Sequence, residues 1–208
     1  MILEKIHDSL IFLYDPSLTL PLQEYLLPYL TRHSNAQAIF HPSQREALFI
    51  SESDDQVDLG LYINQHLLQT LENQPFSLQH LDAYACAIEG VSHFLYVVDR
   101  GNLGKQCSQL ELELQAEVDK FILLCLFSFE TWGQVPPKMF RYLFHDFHFS
   151  PLLKKEERER YETAHYFGRK FCKHLCDETI YPFKPSAFLE KTSTFWKLNL
   201  QEKICSLM

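Results

Sequence analysis

Apolar positions along the chain change period twice, and each change marks a new kind of element. Ile2 to Tyr14 and Leu22 to Thr31 recur at helical spacing on either side of the loop DPSLTLP, which predicts two short N-terminal helices. The period then drops to two. REALFIS (45–51) and VDLGLYI (57–63) alternate apolar and polar residues around ESDDQ, predicting a β-hairpin with Leu48 and Ile50 on the same side as Leu59 and Leu61. AQAIFH (36–41) offers a third strand, and a helix over 64–73 offers cover that an isolated hairpin needs.

From Pro75 the period is helical and stays so, with helices expected over 77–99, 108–131, 136–146 and 154–178. RGNLG (100–104) and GQVPP (133–137) break the chain between them, and connections this short make antiparallel neighbours. In the last of these helices Tyr161, Ala164, Gly168, Phe171, Cys172 and Leu175 form one stripe whose small members admit a close partner, so this helix is expected at the centre of the body. The tail after Tyr181 carries Phe188, Phe195, Trp196, Leu200 and Ile204 at loosely helical spacing. It is expected to dock on the same bundle, with partner binding as the alternative. The fold class is therefore α+β, in one domain spanning 1–208: helices and a hairpin over 1–74, a helical body over 75–180 and a docking tail over 181–208.

Composition supports a single core and narrows the function. A chain of 208 residues, 46% hydrophobic, is long enough to bury one sizeable core. The net charge of −8 argues against general nucleic-acid binding, which runs on clustered Lys and Arg. The one dense charge run, KKEERERYE (154–162), alternates sign at helical spacing and reads as a solvated helix start. MILEKIHDSLIFLYD is interrupted by charge and lacks the core of a signal peptide, and FILLCLF (121–127) is far too short to span a bilayer. Six cysteines without CxxC spacing suit reduced thiols in the cytoplasm.

Winding 77–99 at about 100° per residue puts Asp82, Cys86, Glu89, His93, Tyr96 and Arg100 in a sector roughly 80° wide. A narrow continuous polar stripe is what a mostly buried helix shows to solvent, so the surface reading of Glu89 and His93 comes first. The alternative is a shared polar interior, because the neighbouring helices bring Glu113 and Glu117 at i, i+4, and Glu162 and His165 at i, i+3 with Arg169. Glu89, His93, Glu117, Glu162 and His165 would then form a carboxylate and histidine site for a divalent metal. FHDFHF (144–149) could ligate through His145, Asp146 and His148, but histidine at a helix C-terminus is explained by the helix dipole. Among the cysteines, Cys172 beside Arg169 and Lys173 is the one with basic neighbours.

RYETAH (160–165) and RKFCKH (169–174) resemble the R-x4-6-H motif of HEPN-type ribonucleases, helical-bundle dimers whose arginine and histidine act at an RNA phosphate. A polar residue usually follows the arginine in that family; here Tyr161 and Lys170 follow. EGVSHFLY and ELELQAEVDKF resemble phrases of an uncharacterised bacterial protein family, which implies a bacterial cytosolic protein and lends no site residues. The expectation is a non-enzymatic binding or accessory protein that works with a protein partner or a second copy of itself. A metal-dependent enzyme and a HEPN-like ribonuclease are the alternatives.

Overall fold

The computed structural model describes residues 1–17, 19–28, 45–53, 56–146, 149–151 and 153–208, with the backbone alone at 52, 53 and 56. It is mostly helical with one small sheet, an α+β fold as the periodicity predicts. Helix α1 (Ile2–Tyr14) is followed by a 3-10 turn and a two-residue strand, β1 (Leu26–Leu27). The hairpin β2 (Glu46–Ser53) and β3 (Gln56–Ile63) leads into α2 (Gln65–Asn73). The body is α3 (Leu81–Asn102), α4 (Gln109–Trp132), α5 (Lys138–Phe144) and α6 (Lys155–Leu175), and the tail is α7 (Pro185–Lys197) and α8 (Leu200–Cys205).

The hairpin has the expected register: Leu48 pairs with Leu61 and Ile50 with Leu59. Its third strand is not the expected one, since β1 adds in parallel to β3 through Leu26 and Leu27; residues 36–41 lie outside the described residues. Of the helix expected over 22–31, the described part forms the 3-10 turn Leu22–Tyr25 and then strand β1, and 29–31 lie outside the described residues. Pro28 disfavours a helical conformation at Leu27, and the backbone of Leu26 and Leu27 finds its partners on β3 instead.

The face of the sheet that carries Leu61 and Ile63 packs on α3. A glycine makes that approach possible: a Cβ at Gly90 would stand 2.6 Å from Ile63 Cδ1 and 3.4 Å from Glu46 Oε2. Glu46 is in step with Leu48 along β2, so the alternation that buries the hairpin also carries this carboxylate against α3.

The central helix of the body is α4, not α6 as its small-residue stripe suggests. Leu114, Ala116, Val118, Phe121, Ile122, Leu123 and Leu124 are buried and point in every direction around α4, which runs between α3 and α6. Helix α6 buries Ala164, Gly168, Phe171, Cys172 and Leu175 and leaves its opposite face exposed. Gly168 earns its place there, because a Cβ would meet Glu117 Cβ at 2.9 Å.

The tail lies on the bundle. Trp196 stacks on Tyr14 with centroids 4.3 Å apart and meets Tyr96 edge-on at 4.6 Å, and its indole donates to Asp99 Oδ2 at 2.9 Å. Arg100 reaches across to the carbonyls of Trp196 (2.6 Å) and Leu198 (2.7 Å), satisfying the C-terminal end of α7. From α8, Lys203 enters the core and donates to Tyr96 Oη (2.8 Å) and Gln115 Oε1 (2.7 Å). Among the described residues no helix is long and apolar enough to cross a membrane.

Candidate functional site

Helix α3 supplies Glu89 and His93 one turn apart, and α4 supplies Glu113, Glu117 and Lys120 on the face toward them. Helix α6 adds Arg160 and His165 from the far side, and β2 adds Glu46. Most of these charges are removed from water: the side chains of His93, Glu113, Lys120 and Glu117 are 11%, 10%, 10% and 12% exposed. Solvation is thus replaced by mutual contact, and the contacts can be followed one by one.

Lys120 Nζ donates to Glu117 Oε1 at 2.6 Å and to Glu89 Oε2 at 3.1 Å, tying α4 to α3. His165 Nδ1 lies 2.9 Å from Glu117 Oε2, tying α6 to α4. Arg160 pairs with Glu113 Oε1 at 3.5 Å and donates to Gln109 Oε1 at 2.8 Å. Among the described residues, three shielded atoms at this junction have no hydrogen bond: Glu46 Oε2, His93 Nε2 and Arg160 Nε. His93 Nε2 faces Glu113 Oε2 across 3.6 Å, close enough for charge attraction and too far for a hydrogen bond.

The electrostatics follow from this arrangement. Burial works against ionisation of Glu117, but Lys120 and His165 outweigh it and bring the carboxyl down to about 2. Burial likewise opposes charge on His93, and Glu113 with Glu46 and Glu89 reverses that, lifting the imidazole to about 9. Glu46 is the opposite case: burial, reinforced by Glu89 and Glu113 and partly offset by His93, pushes its carboxyl up to about 7.

The junction opens on a cleft of about 380 Å³ bounded by Arg45, Glu46, Asp82, Cys86, Glu89, Glu117, Lys120 and Tyr161. Arg45 and Asp82 form an ion pair at its edge. Among the described residues, Glu89, His93 and Glu113 bring one ligand atom each to within 4.8 Å of one another, a spacing that could hold a metal ion.

Of the five residues expected to form a metal site, four meet here: Glu89, His93, Glu117 and His165. Glu162 does not; it is half exposed and pairs with Arg158 along the outer face of α6. The solvent-facing reading of the α3 stripe is corrected at the same point. Glu89 and His93 turn toward α4, where Lys120 and Glu113 meet them, while Tyr96 and Arg100 further along are covered by α7 and α8. From Glu89 to Arg100 the stripe is polar because a second polar surface lies against it, while Asp82 at its start is exposed as the solvent-facing reading expects.

Sequence reasoning did not assign Glu46 or Lys120 to the site, and it brought Glu113 to the shared interior without placing it among the ligands. Glu46 was signalled by its parity with Leu48 and Ile50, and Lys120 by its place one turn after Glu117. Arg160 and His165 of the first R-x4-H match are each engaged by an acid of α4, so the cation that would meet a phosphate is already neutralised. In the second match His174 is exposed. At the end of α5, Asp146 pairs with Arg141, and His148 lies outside the described residues. The Cys172 thiol is buried and pushed well above its ordinary value by that burial, the reverse of an activated nucleophile.

No protein-family profile matches the sequence, and comparisons with curated proteins and with solved structures give no match.

Proposed function

We propose that the chain is a binding protein that takes a small cation into the cleft between β2, α3, α4 and α6. One observation carries this reading: four carboxylates, Glu46, Glu89, Glu113 and Glu117, converge on a junction whose permanent cations are Lys120 and Arg160, and buried polar atoms there remain without hydrogen bonds. When all four carboxylates are ionised they outnumber Lys120, Arg160 and the protonated His93 by one, and a buried negative excess of this kind favours a cationic occupant. The occupant is a metal ion, an amine or a guanidinium, since all three offer positive charge to carboxylate oxygens.

The test is calorimetric titration of the purified full-length protein with manganese, zinc, putrescine and guanidinium chloride, beside Glu89→Gln. Saturable binding of at least one of these cations, weakened in the variant, supports the reading. No binding by any of them contradicts it.

A metal-dependent enzyme is the second reading, favoured by Glu46. A carboxyl held at about 7 at the edge of a cleft is matched to proton exchange at neutral pH, as a general acid or base requires. A cytoplasmic location belongs to the same proposal, supported by six free cysteines. So does association with a protein partner or a second copy. The groove of about 290 Å³ beside the tail, where Phe12 and Phe183 are 77% and 64% exposed, supports it.

A further inference from the structure

Resting on the cation-binding reading, we infer that the occupant is a divalent transition-metal ion held by Glu89, His93 and Glu113, with Glu46 supplying a fourth donor. The three ligand atoms already lie within 4.8 Å of one another. Metal bonds to nitrogen and carboxylate oxygen run to about 2.0–2.2 Å, so two ligands of one ion stand roughly 3.0–3.4 Å apart when adjacent and about 4.2 Å apart when opposed. The His93 to Glu113 separation of 3.6 Å is just outside the adjacent range. Small side-chain rotations close the remainder.

The separate observation that points to a ligand is His93 Nε2. It is shielded from solvent, aimed at Glu113 and has no hydrogen bond. Lys120 closes on Glu117 at 2.6 Å in the same junction, whereas Glu113 stands 3.6 Å from His93 and 3.5 Å from Arg160, with space between it and both cations. Glu46 Oε2 is a second shielded atom without a partner, lying 3.4 Å from where a side chain at position 90 would begin. Gly90 thereby leaves room for a carboxylate against the backbone of α3.

The donor set chooses the ion. One imidazole nitrogen with two or three carboxylate oxygens suits zinc, manganese or iron(II); an all-oxygen set would suit magnesium or calcium, and thiolates would suit copper(I). Lys120 holds Glu89 through Oε2 and Glu117 through Oε1, and Arg160 lies against Glu113 Oε1, which leaves Glu113 Oε2, the oxygen facing His93, to the ion. Lys120 and Arg160 then act as positioning residues on the outer side of the ligands.

The experiment uses full-length protein stripped with chelator and dialysed, titrated with manganese, zinc or iron(II) chloride and assayed for bound metal per chain. One ion per chain is expected. His93→Gln and Glu113→Gln should each weaken binding by about 100-fold or more, whereas Glu162→Gln, remote from the junction, should not change it. Far-ultraviolet circular dichroism on each metal-free variant establishes that it folds, and the two ligand variants stand in for each other if one does not. Absence of saturable binding by the parent, or binding indifferent to both ligand variants, overturns the metal. Putrescine and guanidinium separate the two levels of the argument. If metal fails but an organic cation binds in a Glu89-dependent manner, the metal inference falls and the cation-binding reading stands; if nothing binds, both fall.

Discussion

His93 Nε2 and Glu113 Oε2 face each other across 3.6 Å between α3 and α4, both on side chains removed from solvent. Their attraction lifts the His93 imidazole to about 9 from its ordinary 6.5. A histidine raised on folding contributes stability that is complete below the unfolded value and is lost as pH rises through the folded one. Glu46, raised from 4.5 to about 7, acts in the same sense over a lower window. The chelator-treated protein should therefore lose stability between pH 6.5 and 9, by about 1 kcal/mol per pH unit at the steepest. Urea melts at half-unit pH steps, beside His93→Gln, would show it: the parent-minus-variant difference should shrink over that window. A constant difference would mean that His93 is not charged in the folded protein.

Lys120 bridges two carboxylates, Glu89 and Glu117, at the junction of α3 and α4. Lys120→Met should cost about 3–5 kcal/mol, the range for a buried charge stripped of its partner. Adding Glu117→Gln to Lys120→Met should recover part of that loss. Chemical denaturation of the single and double variants gives the coupling, and strictly additive effects would contradict the bridge.

Glycine substitutions separate close packing from mere helix content. Gly168→Ala places a Cβ 2.9 Å from Glu117 Cβ and should destabilise by about 1–3 kcal/mol, since α6 must move off α4. At Gly101 nothing among the described residues lies within 4 Å of the added carbon, so Gly101→Ala should stabilise by up to about 1 kcal/mol through helix propensity. Thermal melts of both variants check the contrast.

Trp196 anchors the tail on Tyr14 and Tyr96 and donates to Asp99. Trp196→Ala should cost about 3–5 kcal/mol, as large aromatic truncations in a core do. It should also speed proteolysis within 181–208. Measured stability within 1 kcal/mol of the parent would show that the tail does not depend on this anchor.

The sequence made the strand parity, the long helices and the α3 stripe readable because each is a one-dimensional period. What Glu89 and His93 meet was not readable in the same way. A narrow polar stripe can face water or another polar surface, and the surface that it meets lies on α4, whose buried apolar residues all around the helix hide any face of its own. Glu46 was visible by its parity with Leu48, but its meaning depends on Gly90 letting α3 come close. The short segment Leu22–Tyr25 went the other way: its spacing suits a helix, and the pairing of Leu26 and Leu27 with β3 overrode it.

The most direct measurement is anomalous diffraction from crystals of the full-length protein grown with zinc or manganese. A peak about 2.0–2.2 Å from His93 Nε2 and from a Glu113 carboxylate oxygen, with Glu89 completing the contact, is the predicted result. A well-occupied peak elsewhere, for instance at His145, with none beside His93, would contradict the site.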